Sequence, residues 1–196
     1  MKLHRLFLYL VLPALAACSS APAAQSVRIH TTLGVIEAEL YADKAPATVA
    51  NFLKYVDAGR YTGGQFHRTV TLHPDNQPNN TVKIEVIQGG VNPDFAEKDW
   101  PAIALERTRD TGVQHLDGTL SMARAGPDTA TSDFFICVGA QPELDFGGKR
   151  NPDGQGFAAF GRVTKGLEIV TKIQSASADG QKLTPPVRIL KIERLP

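Results

Sequence analysis

At 196 residues and 42% hydrophobic content, the chain can bury one sizeable core but not two large domains. Its 21 basic and 20 acidic residues nearly cancel, which argues against a nucleic-acid surface, and two cysteines are too few for a disulfide framework.

The N-terminus reads as a leader over residues 1–17. Met1-Lys2-Leu3-His4-Arg5 is a basic start, and Leu6 to Leu12 is an apolar run too short to span a bilayer as a helix. Leu15-Ala16-Ala17-Cys18 is a small-residue cleavage site that resembles the lipobox of bacterial lipoproteins, in which Cys18 becomes the lipid-bearing N-terminus. The alternative is an ordinary signal peptide cut near Ala24. Several acyl chains on one residue hold a protein at a membrane far better than one. Ser19 after the cysteine, by the same resemblance, implies the outer membrane on its periplasmic side. Removing Lys2 and Arg5 with the leader takes the 21 basic residues to 19 against 20 acidic ones. With Cys18 consumed, Cys137 has no partner inside the chain and reads as a small buried hydrophobe.

Residues 19–25 are small and polar without a period, which suits a tether between lipid and domain. The domain, 26–196, then opens on a hairpin: 27–32 and 35–40 alternate around Leu33-Gly34. Pro46 starts a run with apolar residues at Val49, Phe52, Leu53 and Val56, and Gly59 follows it, so a helix is predicted over 46–57. Strands are predicted at 64–72, 81–88, 118–123, 133–138, 157–163 and 187–194, with a second helix over 167–174. Mostly antiparallel strands with two helices fit a closed β-barrel of eight strands, which leaves no sheet edge open. The long irregular span 91–117 is of a kind commonly used for function.

One residue stands out against this pattern. Arg68 sits in an apolar strand, and burying an unpaired cation costs far more than one hydrogen bond returns, so it should face a groove or a partner. His67, its neighbour, is expected to face the other way. No third ligand lies at metal spacing from His67 and His73, and Ser132 with Asp133 has no triad context. Gly89-Gly90 reads as a permissive turn rather than a phosphate loop, because no Gly-Lys-Ser/Thr follows.

Five short runs occur in order: Phe66-His67-Arg68, Gln88-Gly89-Gly90, Leu120 to Pro127, Ser132 to Ile136 and Phe160 to Val163. Together they resemble the cyclophilins, a family of peptidyl-prolyl isomerases, over nearly all of residues 26–196. The resemblance implies the capped eight-stranded barrel, no cofactor or metal, and proline-containing unfolded or extended polypeptides as substrate. From the leader and the charge balance, the protein is expected to meet a membrane through the lipid anchor alone and to bind no nucleic acid, and a monomer is expected. The resemblance assigns Arg68 as the catalytic arginine and Gln88 as the glutamine that contacts the substrate backbone. Phe135 becomes the floor of the proline pocket and Leu144 its wall. Val86 falls where methionine is usual and Phe157 where histidine or tyrosine is, while Ala123 and Arg124 flank the groove for the peptide main chain. The segment 91–117 would wall part of that groove.

The sequence also departs from the family pattern. Segment 69–87 is longer than usual and reads as an extended hairpin; Glu85 replaces a phenylalanine, which leaves Ile84 or Val86 to complete the pocket. Asp133 replaces a glutamine, and Glu143 stands where eukaryotic members carry the tryptophan associated with cyclosporin binding. Two functions follow: an isomerase aiding proteins that fold in the bacterial envelope, or a cyclophilin-shaped peptide-binding chaperone with little turnover.

The chemistry asked of such a site is modest. Twisting an X-Pro bond meets a barrier of about 18–20 kcal/mol because amide resonance is lost. The proline nitrogen pyramidalises and gains a lone pair as it twists. A donor aimed there stabilises the twisted state more than the planar one.

Overall fold

The computed structural model describes residues 25–196. The leader, the Cys18 lipidation site and the tether up to residue 24 lie outside the described residues.

Nine strands form one antiparallel sheet. They are β1 (Gln25–Thr31), β2 (Gly34–Leu40), β3 (Gln65–Val70), β4 (Val86–Gly90), β5 (Thr119–Met122), β6 (Phe134–Cys137), β7 (Ala159–Lys165), β8 (Ala178–Asp179) and β9 (Lys182–Leu195). Their order is β1-β2-β7-β5-β6-β4-β3-β9-β8, and a β1–β9 pairing closes eight of them into a barrel. The two-residue β8 only folds back on the start of β9. Gln25, placed in the tether by its composition, already pairs with Leu40 in the first hairpin.

Two helices cap the barrel at the predicted places, α1 (Pro46–Asp57) and α3 (Leu167–Gln174), and a single turn, α2 (Thr108–Thr111), lies in the long connection between β4 and β5. Proline at the first turn of α1 costs no hydrogen bond, and Glu106 satisfies the free donors there. Its carboxylate accepts from the backbone N–H of Ala47 (3.1 Å) and Thr48 (2.8 Å). Phe52 of α1 plugs the barrel against Phe134 and Phe160, with ring centroids 5.4 and 5.2 Å away.

The strand period sorts side chains onto two faces. In β6, Phe134 and Ile136 enter the barrel core, while Phe135 and Cys137 face outward with Val70, Ile84, Val86 and Leu144. The outward cluster is a second, smaller apolar body on the wall of the barrel. Cys137 is fully buried in it, and burial pushes its thiol pKa far up, consistent with the apolar role predicted for it.

The extended hairpin expected over 69–87 does not form. β3 stops at Val70 and β4 starts at Val86, and 71–85 folds as a chain of turns. Pro74 and Pro78 cannot donate to a ladder, and two side-chain amides replace the missing bonds. Asn76 Oδ1 accepts from the Thr71 N–H (3.0 Å). The fully buried Gln77 donates to the carbonyls of Thr71 (2.7 Å) and Ile84 (2.8 Å) and accepts from the Ile84 N–H (3.2 Å). Gln77→Leu therefore strands three backbone groups, each costing about 1–3 kcal/mol when left unpaired. A loss of at least about 2 kcal/mol in urea unfolding is expected, below the sum for three groups because water reaches parts of this largely exposed segment; wild-type stability would show that the segment is held by other contacts.

Candidate active site

A backbone irregularity puts Arg68 where it is. Phe66 is fully buried in the barrel core, and unbroken alternation would send Arg68 to the same side. Instead the register shifts between Phe66 and Arg68 in the pairings with both β4 and β9, so His67 is bulged and Arg68 turns outward. His67 does not point away from the site, as strict alternation predicts. Its Nε2 lies 3.6 Å from Asp133 Oδ2, at the margin of the same cluster.

Arg68 is held by two amides. Its Nε donates to Gln181 Oε1 (2.8 Å) and its Nη1 to Gln88 Oε1 (2.9 Å). Gln88 passes the alignment on, donating through Nε2 to Asp133 Oδ2 (3.0 Å). Partial burial lowers the Arg68 pKa from its ordinary value, and a guanidinium stays charged at any physiological pH. The glycines of the QGG run lie within β4 rather than in a turn, and close packing explains them. A Cβ on Gly89 would come 2.8 Å from the Phe66 ring, and one on Gly90 would collide with the Asp133 carboxylate.

Beside Arg68 runs a groove of about 450 Å³. All eight predicted site residues line it: Arg68, Val86, Gln88, Ala123, Arg124, Phe135, Leu144 and Phe157. Phe135 and Phe157 meet edge to face with centroids 5.4 Å apart, and Leu144 is fully buried behind them. Ile84 closes the side left open by Glu85, whose carboxylate turns to the Gln174 amide (3.4 Å). The Glu143 carboxylate accepts from the Lys149 N–H (2.7 Å). The 91–117 span contributes Asp99 to the groove lining.

Arg124 is placed at the groove, yet its side chain does not reach for a peptide main chain. Its two Nη atoms clasp the Asp153 carboxylate at 2.8 and 2.9 Å, Nε donates to the Gly156 carbonyl, and the guanidinium lies 4.9 Å from the Phe157 ring centroid. It braces Phe157.

Three contributors escape a reading of the sequence. Gln181, from the tip of the 178–183 hairpin, holds Arg68 from across the chain. Arg150 enters from the irregular stretch before Phe157. His115 stacks beneath Phe135 with centroids 5.9 Å apart and 14° between planes, and it bonds Asp145 Oδ1 (2.7 Å) and Ser121 Oγ (2.9 Å) through its two ring nitrogens. This is a Ser-His-Asp chain in composition, but Ser121 is sealed from solvent and from the groove. It props the pocket floor and attacks nothing. A histidine in a long irregular span is the only sequence signal for it.

Asp133 carries a pH consequence. Partial burial raises its carboxyl pKa, outweighing the Gln88 N–H and the nearby His67, which lower it. A raised carboxyl supports the fold most when protonated, so its contribution is greatest below the ordinary value of 3.8 and fades as pH rises through the folded value. Asp133→Asn should therefore gain stability relative to wild type from near pH 4 upward, by a small amount because the side chain is 39% exposed. Urea unfolding between pH 3 and 7 reads this; a pH-independent difference would contradict it.

The comparisons with known proteins agree with this geometry. Residues 26–194 match the family model described as cyclophilin type peptidyl-prolyl cis-trans isomerase/CLD. Over 169 residues the chain is 37% identical to peptidyl-prolyl cis-trans isomerase A of Dickeya dadantii, covering 85% of this chain and 78% of that one. It is 36% identical over 186 residues to a peptidyl-prolyl cis-trans isomerase of Acinetobacter baylyi, covering 93% and 90%. Among solved structures it resembles a cyclophilin type isomerase of Cryptosporidium parvum, with TM-score 0.68 and 25% identity over 88% of this chain and 98% of the other. That protein has also been solved in the presence of the dipeptide Ala-Pro.

Proposed function

The chain belongs to the cyclophilin-type peptidyl-prolyl cis-trans isomerases, and from that premise we propose that Arg68 drives the reaction over the apolar seat of Phe135, in proteins folding in the bacterial envelope. The observation that carries this reading is the fixed direction of one guanidinium. Gln181 and Gln88 occupy two of its five donors and leave the others without a partner among the described residues, in a group that lines the groove.

A proline ring seated on Phe135, between Leu144, Val86, Ile84 and Phe157, is held while the preceding carbonyl turns about the C–N bond. Free Arg68 donors meet the nitrogen lone pair as it forms, and the apolar seat keeps water from screening the contact. Gln88, whose amide is held by Arg68 and Asp133, would bind the peptide main chain. The Leu15-Ala16-Ala17-Cys18 run supports an anchored protein on the periplasmic side of the outer membrane, and Cys18→Ala should move it from the membrane fraction to the soluble one.

At catalytic ratios the protein should accelerate the proline-limited refolding phase of an unrelated protein. Stoichiometric binding of the unfolded chain without acceleration would instead favour the peptide-binding chaperone.

A further inference from the structure

Besides Arg68 and Arg124, the groove holds a third cation that bond rotation does not require. Arg150 is half-buried in the groove lining. Its Nη1 donates to Gln77 Oε1 (2.8 Å) and to the Val82 carbonyl (2.6 Å), so the 71–85 segment anchors one edge of the guanidinium. Among the described residues, Nε and Nη2 have no hydrogen-bond acceptor, and no carboxylate stands within 4.0 Å of the group.

Its surroundings sharpen the point. Arg68, a like charge that Arg150 feels across the groove, is bonded only to neutral amides, while Arg124 is neutralised by Asp153. The groove's two carboxylates are already engaged: Asp133 takes the Gln88 amide on the side away from Arg68, and Asp99 takes the Ser132 hydroxyl at 2.9 Å. Two guanidinium groups thus line the groove with no carboxylate within 4.0 Å of either among the described residues, and a partly desolvated cation with a free fork is matched by an incoming carboxylate.

We propose that Arg150 is a specificity residue that selects proline peptides bearing an Asp or Glu side chain within two residues of the proline. This rests on the isomerase reading above. The 71–85 segment, longer than the family pattern, acquires a purpose: through Gln77 and Val82 it holds the selecting group at the groove.

The test compares exchange rates on one host peptide with Glu, Gln or Lys placed in turn at each position flanking Ala-Pro. At low salt the best Glu peptide should exceed its Gln counterpart in kcat/KM by roughly five- to tenfold, with Lys lower still, and the advantage should shrink as salt rises. Arg150→Gln, which keeps a donor for Gln77, should bring the Glu-to-Gln ratio to about one, and Arg150→Lys should retain part of it. The ratio is read within each variant, so a change in overall rate does not obscure it. Equal turnover of all peptides by wild type, or a Glu preference that survives Arg150→Gln, would overturn the assignment while leaving the isomerase intact. Failure to turn over any peptide would instead overturn the isomerase, and the assignment with it.

Discussion

Truncating Phe135 to alanine should lower the free energy of unfolding by about 3–5 kcal/mol and remove most of the isomerase activity at once. The ring is 4% exposed and belongs to the outward apolar cluster with Val70, Ile84, Val86, Cys137 and Leu144. It lies on His115 below and against Phe157 at its edge. Removing it opens a cavity above a buried imidazole whose two nitrogens are already committed to Asp145 and Ser121, so the site cannot collapse to fill the space. The same loss deprives the proline of its floor and admits water beside Arg68, which weakens the donor's effect on the twisted amide. Phe135→Leu should return much of the stability but less of the activity, because it fills volume without restoring a flat seat. Urea unfolding and peptide exchange measured on the same samples separate the two effects. Native stability with full turnover in Phe135→Ala would mean that the proline sits elsewhere.

The fold and most of this site were legible in the chain because each strand carries its own alternation. Phe134 to Cys137 announces one residue for the core and the next for the wall, and Pro46 with Gly59 brackets α1 without help from tertiary contacts. Arg68 was legible through cost, as a cation in an apolar strand. What escaped was set by contacts between distant residues. Alternation over 81–85 imitates a strand, yet the Ile84 backbone is satisfied by the Gln77 side chain. The bulge at His67 leaves no mark in Phe66-His67-Arg68, since period two can break without a glycine or proline. Gln181, His115 and Arg150 lie in turns or irregular segments, where no period points a side chain anywhere. The groove braces of Arg124 depend on Asp153 in a loop 29 residues away.

Arg68→Ala should reduce kcat/KM by about 10–100-fold, since one charge-assisted hydrogen bond is worth about 1.5–3 kcal/mol. The fold should tolerate the change, because the partners left behind, Gln181 and Gln88, keep other bonds to Asn76 and Asp133. Arg68→Lys should fall nearly as far. A compact ammonium keeps the charge but cannot span both amides and still present a donor to the proline nitrogen. On the proposed mechanism the remaining rate enhancement belongs to the seat, so the Phe135 and Arg68 variants should fail in different ways: one losing fold and function together, the other function alone.

Magnetisation-exchange NMR on a short Ala-Pro peptide, with wild type and Arg68→Ala at equal concentrations of folded protein, tests the central claim most directly. The peptide alone interconverts over tens to hundreds of seconds. Wild type should bring exchange well above that, and Arg68→Ala should lose about one to two powers of ten of the acceleration while its melting curve stays close to wild type. Equal acceleration by the two proteins would contradict the assignment of the guanidinium as the group that stabilises the twisted bond.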